Sequence, residues 1–308
     1  MRVLDRLCER PVGLYAAAAL RIGCALLVLL QLVREFPSRR EAWGPASPWP
    51  QYVRGTSYDR FGLLDLSSSM LYFELFYLAS LLVCALFALG WHPRLTSVLF
   101  ALVVVSFNFR APMMVLGGQR MIQLLAIYLI FAACGQVWSL HRSSLRPLTI
   151  ALHNLAMFVI AAQVCTAYLW AGLSKLEGPT WRDGTALGYA LQLSNLRVWP
   201  ELSDLVRSNG LLVMVASYAA VFVSASFPFT LFSRWLKYPA LLMLVSMHLG
   251  IAVLMGLPQF SAAMIVADFV FIPDRLWQRA GAWVRRRTAE GPADESTGPS
   301  VRSTDHTS

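Results

Sequence analysis

This chain is short of charge. Only 14% of its 308 residues are Asp, Glu, Lys or Arg, against roughly 25% in soluble domains, while 57% are hydrophobic. With a mean hydropathy of +0.55 it is not an ordinary soluble enzyme, because a chain of this size cannot hide that much apolar surface from water. A hydrocarbon core about 30 Å thick takes about 20 apolar residues per spanning helix, which leaves room for roughly six to eight spans and no large water-soluble domain.

Paired cysteines are missing too. Cys8, Cys24, Cys84, Cys134 and Cys165 include no CxxC pair, and four of them sit in apolar runs where a thiol behaves as a small hydrophobe. This argues against a thiol–disulfide enzyme exchanging electrons with a quinone, and against thiolate metal sites. No two histidines share helical spacing, so no bound metal is expected. A nucleic-acid partner is not expected either. The formal charge of +9 comes from arginines lying between and after the apolar runs, the pattern of juxtamembrane base. Arg275, Arg279, Arg285, Arg286 and Arg287 suit contact with anionic lipid headgroups. The reading is a transmembrane domain over 1–287, followed by a Ser-, Thr-, Gly- and Pro-rich disordered cytoplasmic tail over 288–308.

What the chain has is apolar runs. Arg2, Arg6 and Arg10 precede Val12–Val33, a run longer than the 7–15 or so residues of a signal-peptide core, so it reads as a retained first span. Further spans are expected at Met70–Leu89, Leu95–Phe107, Met121–Cys134, Leu148–Leu173, Leu211–Phe232 and Tyr238–Leu257. Gln259–Ile272 is short for a span, and topology arbitrates. With the basic N-terminus inside, about eight passes return the Arg-rich C-terminal segment to the cytoplasm, as the positive-inside tendency prefers; about seven is the alternative. The expected fold is therefore all-α, a polytopic transmembrane helical bundle with a helical re-entrant or interfacial piece near Trp181–Leu193. The expected location is the cell membrane, multi-pass, with both termini cytoplasmic. Loops 34–69, 108–120 and 174–209 then face outside, and Lys175 lies at the outer surface.

An ionisable group inside a span costs about 2.5–3.5 kcal/mol at mid-helix, so each one needs a reason. Arg21 and Glu74 can pair with one another or with backbone groups, or can line a pocket. His153, near the start of span five, suits snorkelling to headgroups, and Asp268, near the end of a short segment, suits reaching the interface. His248 lies near mid-span, where snorkelling is harder, and is a functional candidate. Gln163, Thr166, Trp170 and Ser174 share one helical stripe, which either packs or faces a pocket. Lys175 follows Ala171 and Gly172 by one turn and Tyr168 by two, so small residues leave space beside its amine. Two readings stand for it. It can snorkel to phosphate, or, dehydrated and neutral, it can take a proton from a weakly acidic hydroxyl such as that of a reduced quinone.

From Tyr168 to Gly184 the chain reads YLWAGLSKLEGPTWRDG. This resembles the HTTM domain, a bacterial membrane module related to vitamin K-dependent gamma-carboxylase, in which an Ala-Gly-x-x-Lys segment after a span is followed by Trp-x-x-Gly. GGQRMIQLLAIYLIFAACGQVWSL, from Gly117 to Leu140, resembles the family's GGD segment and following helix, and HLGIAVLMGLPQFSAAMI, from His248, its late span. The resemblance covers about Gly13 to Trp277. It implies that Lys175 is a base toward a reduced quinone of the vitamin K type. His248 is the second catalytic candidate, and Tyr168, Gly172, Ser174, Trp181, Gln163, Gly117, Gly118, Arg21 and Glu74 are candidates to line the pocket.

Three departures bear on the reaction. Ser174 replaces a neighbouring lysine, Gln119 stands where the family usually has Asp, and the large lumenal substrate-binding region is absent. They point away from glutamyl carboxylation and toward SdpB-type single-domain proteins that mature a secreted killing peptide. The competing expectation is a non-enzymatic transporter or immunity protein that binds a peptide or lipid between helices through Arg21, Glu74 and His248.

Overall fold

A computed structural model describes residues 9–49, 55–56, 60–142 and 144–289, with side chains described to 283. Cys8, the side chains of Arg285, Arg286 and Arg287, and the expected disordered tail beyond 289 lie outside the described residues. All regular structure among the described residues is helical. In chain order the helices are α1 (Leu14–Glu35), α2 (Arg39–Trp43), α3 (Met70–Leu89), α4 (Pro93–Arg110), α5 (Gly117–Leu129) and α6 (Pro147–Glu177). They continue with α7 (Pro179–Arg182), α8 (Ala186–Ala190), α9 (Pro200–Ser208), α10 (Gly210–Thr230), α11 (Arg234–Leu254), α12 (Pro258–Asp268) and α13 (Asp274–Ala289). Six of them, α1, α3, α4, α6, α10 and α11, are long and apolar enough to cross a membrane.

The helices start and stop where local chemistry dictates. Pro93 and Pro147 occupy the first turns of α4 and α6, where their missing N–H is not needed. Gly90 ends α3 at φ 72, a left-handed conformation that favours glycine. The expected fourth and eighth segments are the shorter helices α5 and α12. Between Gln259, which donates to Gln31, and Asp274, which accepts from the amides of Leu14 and Tyr15 at 3.2 and 3.0 Å, the α12 segment runs antiparallel to α1 from one end to the other. The end of the bundle holding Leu14 is called inner below, and the end holding Glu35 outer.

Helix α1 lies at the centre. Ala16, Ala17, Ala18, Leu20, Cys24 and Ala25 are fully buried, and a Cβ at Gly23 would come within 2.7 Å of Val266 on α12. Lipid is as apolar as leucine, so small residues that let backbones approach closely, together with polar bonds between helices, hold such a bundle. The polar bonds are specific. Arg21, fully buried, donates to the carbonyls of Phe87 (2.8 Å), Ala88 (2.9 Å) and Trp138. These carbonyls lie at the open end of α3 and in the inner loop, so the arginine pairs with backbone and not with Glu74. Glu74, at the outer end of α3, accepts from Arg39 at 2.9 Å and Arg40 at 2.5 Å and ties α2 down. His153 does not snorkel: it is fully buried, its Nδ1 accepts from the Ala133 amide at 3.2 Å, and its Nε2 lies 3.0 Å from the Val12 carbonyl. Asn154 beside it accepts from Val12 N–H and donates to the Arg10 carbonyl, both at 2.9 Å.

Candidate functional site

Helix α6 runs on to Glu177, so Lys175 belongs to its last turn rather than to the loop after it. The ammonium is half-buried, donates to the Ala171 carbonyl at 2.9 Å, and lies 5.3 Å from the centroid of the Trp181 ring. Every salt bridge among the described residues uses an arginine, so no carboxylate there lies within ion-pair distance of this amine.

Two turns further in, Tyr168 is 2% exposed and bridges two other buried groups. Its hydroxyl donates to Asp268 Oδ2 at 3.0 Å and lies 3.0 Å from His248 Nε2. A phenol has one proton to give, so with that proton on the carboxylate bond it is the Nε2–H of His248 that donates to the Tyr168 oxygen. Nδ1 of His248 and Oδ1 of Asp268 are buried and have no hydrogen-bond partner. The surroundings are aromatic: Phe227 stands edge-on to Tyr168 at 5.3 Å, Phe271 to Phe227 at 5.0 Å, and Phe260 to His248 at 5.6 Å.

Three glycines from the sequence reading explain how these side chains reach one another. A Cβ at Gly172 would come within 2.7 Å of the Ala225 Cα, so its absence lets α6 and α10 touch between Tyr168 and Lys175. At Gly118 a Cβ would meet the Phe260 Cα at 2.8 Å, and at Gly117 the Phe260 ring at 3.3 Å. These two let α12 come close enough to set Phe260 on His248.

The outer side is roofed by α7, α8 and α9. Gly184, at φ 77, packs on the Tyr218 ring, and Tyr218 Oη donates to the Arg182 carbonyl at 2.9 Å, so the Trp181–Gly184 turn is pinned to α10. Asp183 accepts from the Thr185 hydroxyl at 2.5 Å and from its amide at 3.0 Å, bonds that hold its carboxyl below the usual carboxylate range.

Tyr168, Gly172, Lys175, Trp181, His248, Gly117 and Gly118 thus belong to one neighbourhood. The Gln163 stripe does not: Thr166 and Ser174 are exposed, Trp170 is 73% exposed and Gln163 half-buried, so this face points away from the bundle. Arg21 and Glu74 are held elsewhere, as described above. Asp268 was expected at the interface and is instead 3% exposed beside Tyr168. Its partner lies 100 residues away in sequence, and helical spacing carries no signal of that pairing. Among the described residues no group of three or more His, Cys, Asp or Glu is gathered as a metal would require.

Comparison with known proteins now bears on this geometry. The family model for the HTTM domain matches residues 9–277. A protein of Bacillus subtilis (strain 168), carrying the name "Uncharacterized protein YitO", is 26% identical over 200 residues, which are 62% of this chain. The match spans 64% of that relative's length, less than two thirds of it. No solved structure matches.

Proposed function

The chain belongs to the HTTM domain family, a membrane family related to the carboxylases, and from that membership we propose that Lys175 is an outward-facing general base. In this reading it acts on the weakly acidic hydroxyl of a lipid quinol, or in the maturation of a secreted peptide. The observation that carries the reading is the setting of the amine: half-buried, held by one backbone carbonyl under the Trp181 ring, with no carboxylate beside it among the described residues. A neutral amine there removes the hydroxyl proton and becomes an ammonium, and the oxyanion that results is its counter-ion. Trp181 beside the amine reduces its hydration, which strengthens that pairing. A reduced quinone of the vitamin K type suits this reading because its hydroxyls are acidic enough to be ionised by an amine and the Trp181 ring beside that amine can stack on it.

The intramembrane polar set on which a transporter reading draws is dispersed, with Arg21 at the inner end and Glu74 at the outer, and this favours the base. The orientation rests on charge. Arg34, Arg39, Arg40, Arg110, Arg197 and Arg207 at the outer end pair with Glu35, Glu74, Asp65 and Asp204, leaving Arg60, Arg120 and Arg182 there without an acid, while Arg94, Arg146, Arg234, Lys237, Arg275 and Arg279 at the inner end have no acid partner among the described residues. That unmatched base suits the cytoplasmic side and its anionic lipids.

The test uses the full chain in lipid nanodiscs with reduced menadione under anaerobic conditions, reading the hydroquinone anion by its absorbance. The wild-type protein is expected to ionise the bound probe at neutral pH, and Lys175→Met to lose at least about tenfold of that signal while remaining folded. A folded Lys175→Met that ionises the probe as well as wild type overturns the base. In producing cells, the mass of the secreted peptide made beside the protein should change with the same substitution.

A further inference from the structure

Most of the polar side chains buried in the bundle have a structural use. Arg21 closes α3, and His153 and Asn154 hold the segment that leads into α1. The Tyr168–His248–Asp268 cluster has none so evident. It joins α6, α11 and α12 by two bonds of 3.0 Å, at 2–3% exposure, and leaves one acceptor open at each end. An unsatisfied buried acceptor costs about 1–3 kcal/mol, so two in one chain of bonds point to a partner that arrives.

We propose that these three side chains form a buried proton-holding relay behind Lys175, entered at His248 Nδ1 and ending on Asp268. The inference rests on the base reading only for the identity of the donor. The bonds are already aligned for the transfer. A proton reaching Nδ1 gives an imidazolium, whose Nε2 proton passes to the Tyr168 oxygen, while the Tyr168 proton passes to Asp268 Oδ2. The result is a neutral His248 protonated at Nδ1, an intact phenol and a carboxylic acid. One proton has entered, no bond other than N–H and O–H has changed, and no oxidant is needed. Supplied from the Lys175 ammonium, this step returns the amine to its neutral form.

Two observations support the direction. Lys175 lies two turns of α6 outward of Tyr168, with the close Gly172 crossing between them, which places the donor on the outer side of the relay. Around the cluster, α10 and α12 present the Phe227 and Phe260 rings. The relay is therefore walled by apolar side chains, the condition under which a proton is held rather than lost to water.

The experiment is a light-triggered proton release from a caged proton source, applied to the full chain in nanodiscs and followed by time-resolved infrared absorption of the carboxylic-acid carbonyl. Asp268→Asn identifies the band by removing it; a band that survives this substitution, or no band in wild type, overturns the proposal. Tyr168→Phe breaks the chain of bonds and leaves both ends in place. It is expected to slow the appearance of the band at least about tenfold at unchanged final amplitude, an effect that a merely structural role would not produce. An unchanged rate overturns the relay. His248→Asn is the second break, decisive if Tyr168→Phe does not fold. Lys175→Met separates the two ideas. If it slows the band as Tyr168→Phe does, Lys175 is the donor; if it leaves the wild-type rate while Tyr168→Phe is slow, the relay stands and the base reading fails.

Discussion

A single buried side chain in this bundle is worth what it satisfies. Arg21 supplies donors to three carbonyls at the point where α3 ends and the inner loop passes over it. Arg21→Met strands all three and is expected to destabilise the protein by about 2–4 kcal/mol, read as a lower thermal midpoint in detergent; Arg21→Lys should rescue little of it, because an ammonium lacks the planar fork. Residues of this kind are half legible in the sequence. Burial cost marks Arg21, His153, His248 and Asp268 as needing partners, but it does not say which ones. His153 and Asp268 were expected at the surface because they lie near segment ends, and both are buried because distant backbone and a tyrosine provide for them. No local pattern encodes bonds across 100 residues.

At the scale of helices the reading is better for position than for facing. The bounds of α3 coincide with the expected Met70–Leu89, because a Gly stop and an apolar run leave little choice. The stripe of Gln163, Thr166, Trp170 and Ser174 was correctly placed on one face of α6, but that face looks outward, since lipid and bundle interior are equally apolar and hydropathy cannot tell them apart. What positions α6 is Gly172. Gly172→Ala puts a methyl group against the backbone of Ala225 and should cost about 1–3 kcal/mol, with a fall in any activity that depends on Lys175. Gly250→Ala on α11 is the control: open space surrounds that Cβ position, and the change should be neutral or raise stability by about 0.5–1 kcal/mol. Chemical denaturation of both variants in the same lipid decides between a close crossing and a generic dislike of side chains at helical glycines.

Over the whole molecule, the acid partners of arginines among the described residues are confined to one end. If the matched end is outside, a cysteine at Asp204 in a cysteine-free background should react with a membrane-impermeant maleimide on intact cells, and one at Arg234 only after permeabilisation. The reverse pattern would turn Lys175 toward the cytoplasm and remove it from secreted substrates. The all-helical class and the membrane setting followed from composition together with the length of the apolar runs, because runs of about 20 apolar residues satisfy their own backbone in a bilayer as helices.

Asp274 accepts from the amides that open α1, and the α12 segment threads between those ends. The opening turn of α1 is thus finished by a residue synthesised some 260 positions later. Until that carboxylate arrives, the amides that open α1 at the inner end lack this acceptor, so the order of synthesis leaves the central helix to be capped after the rest of the bundle has formed.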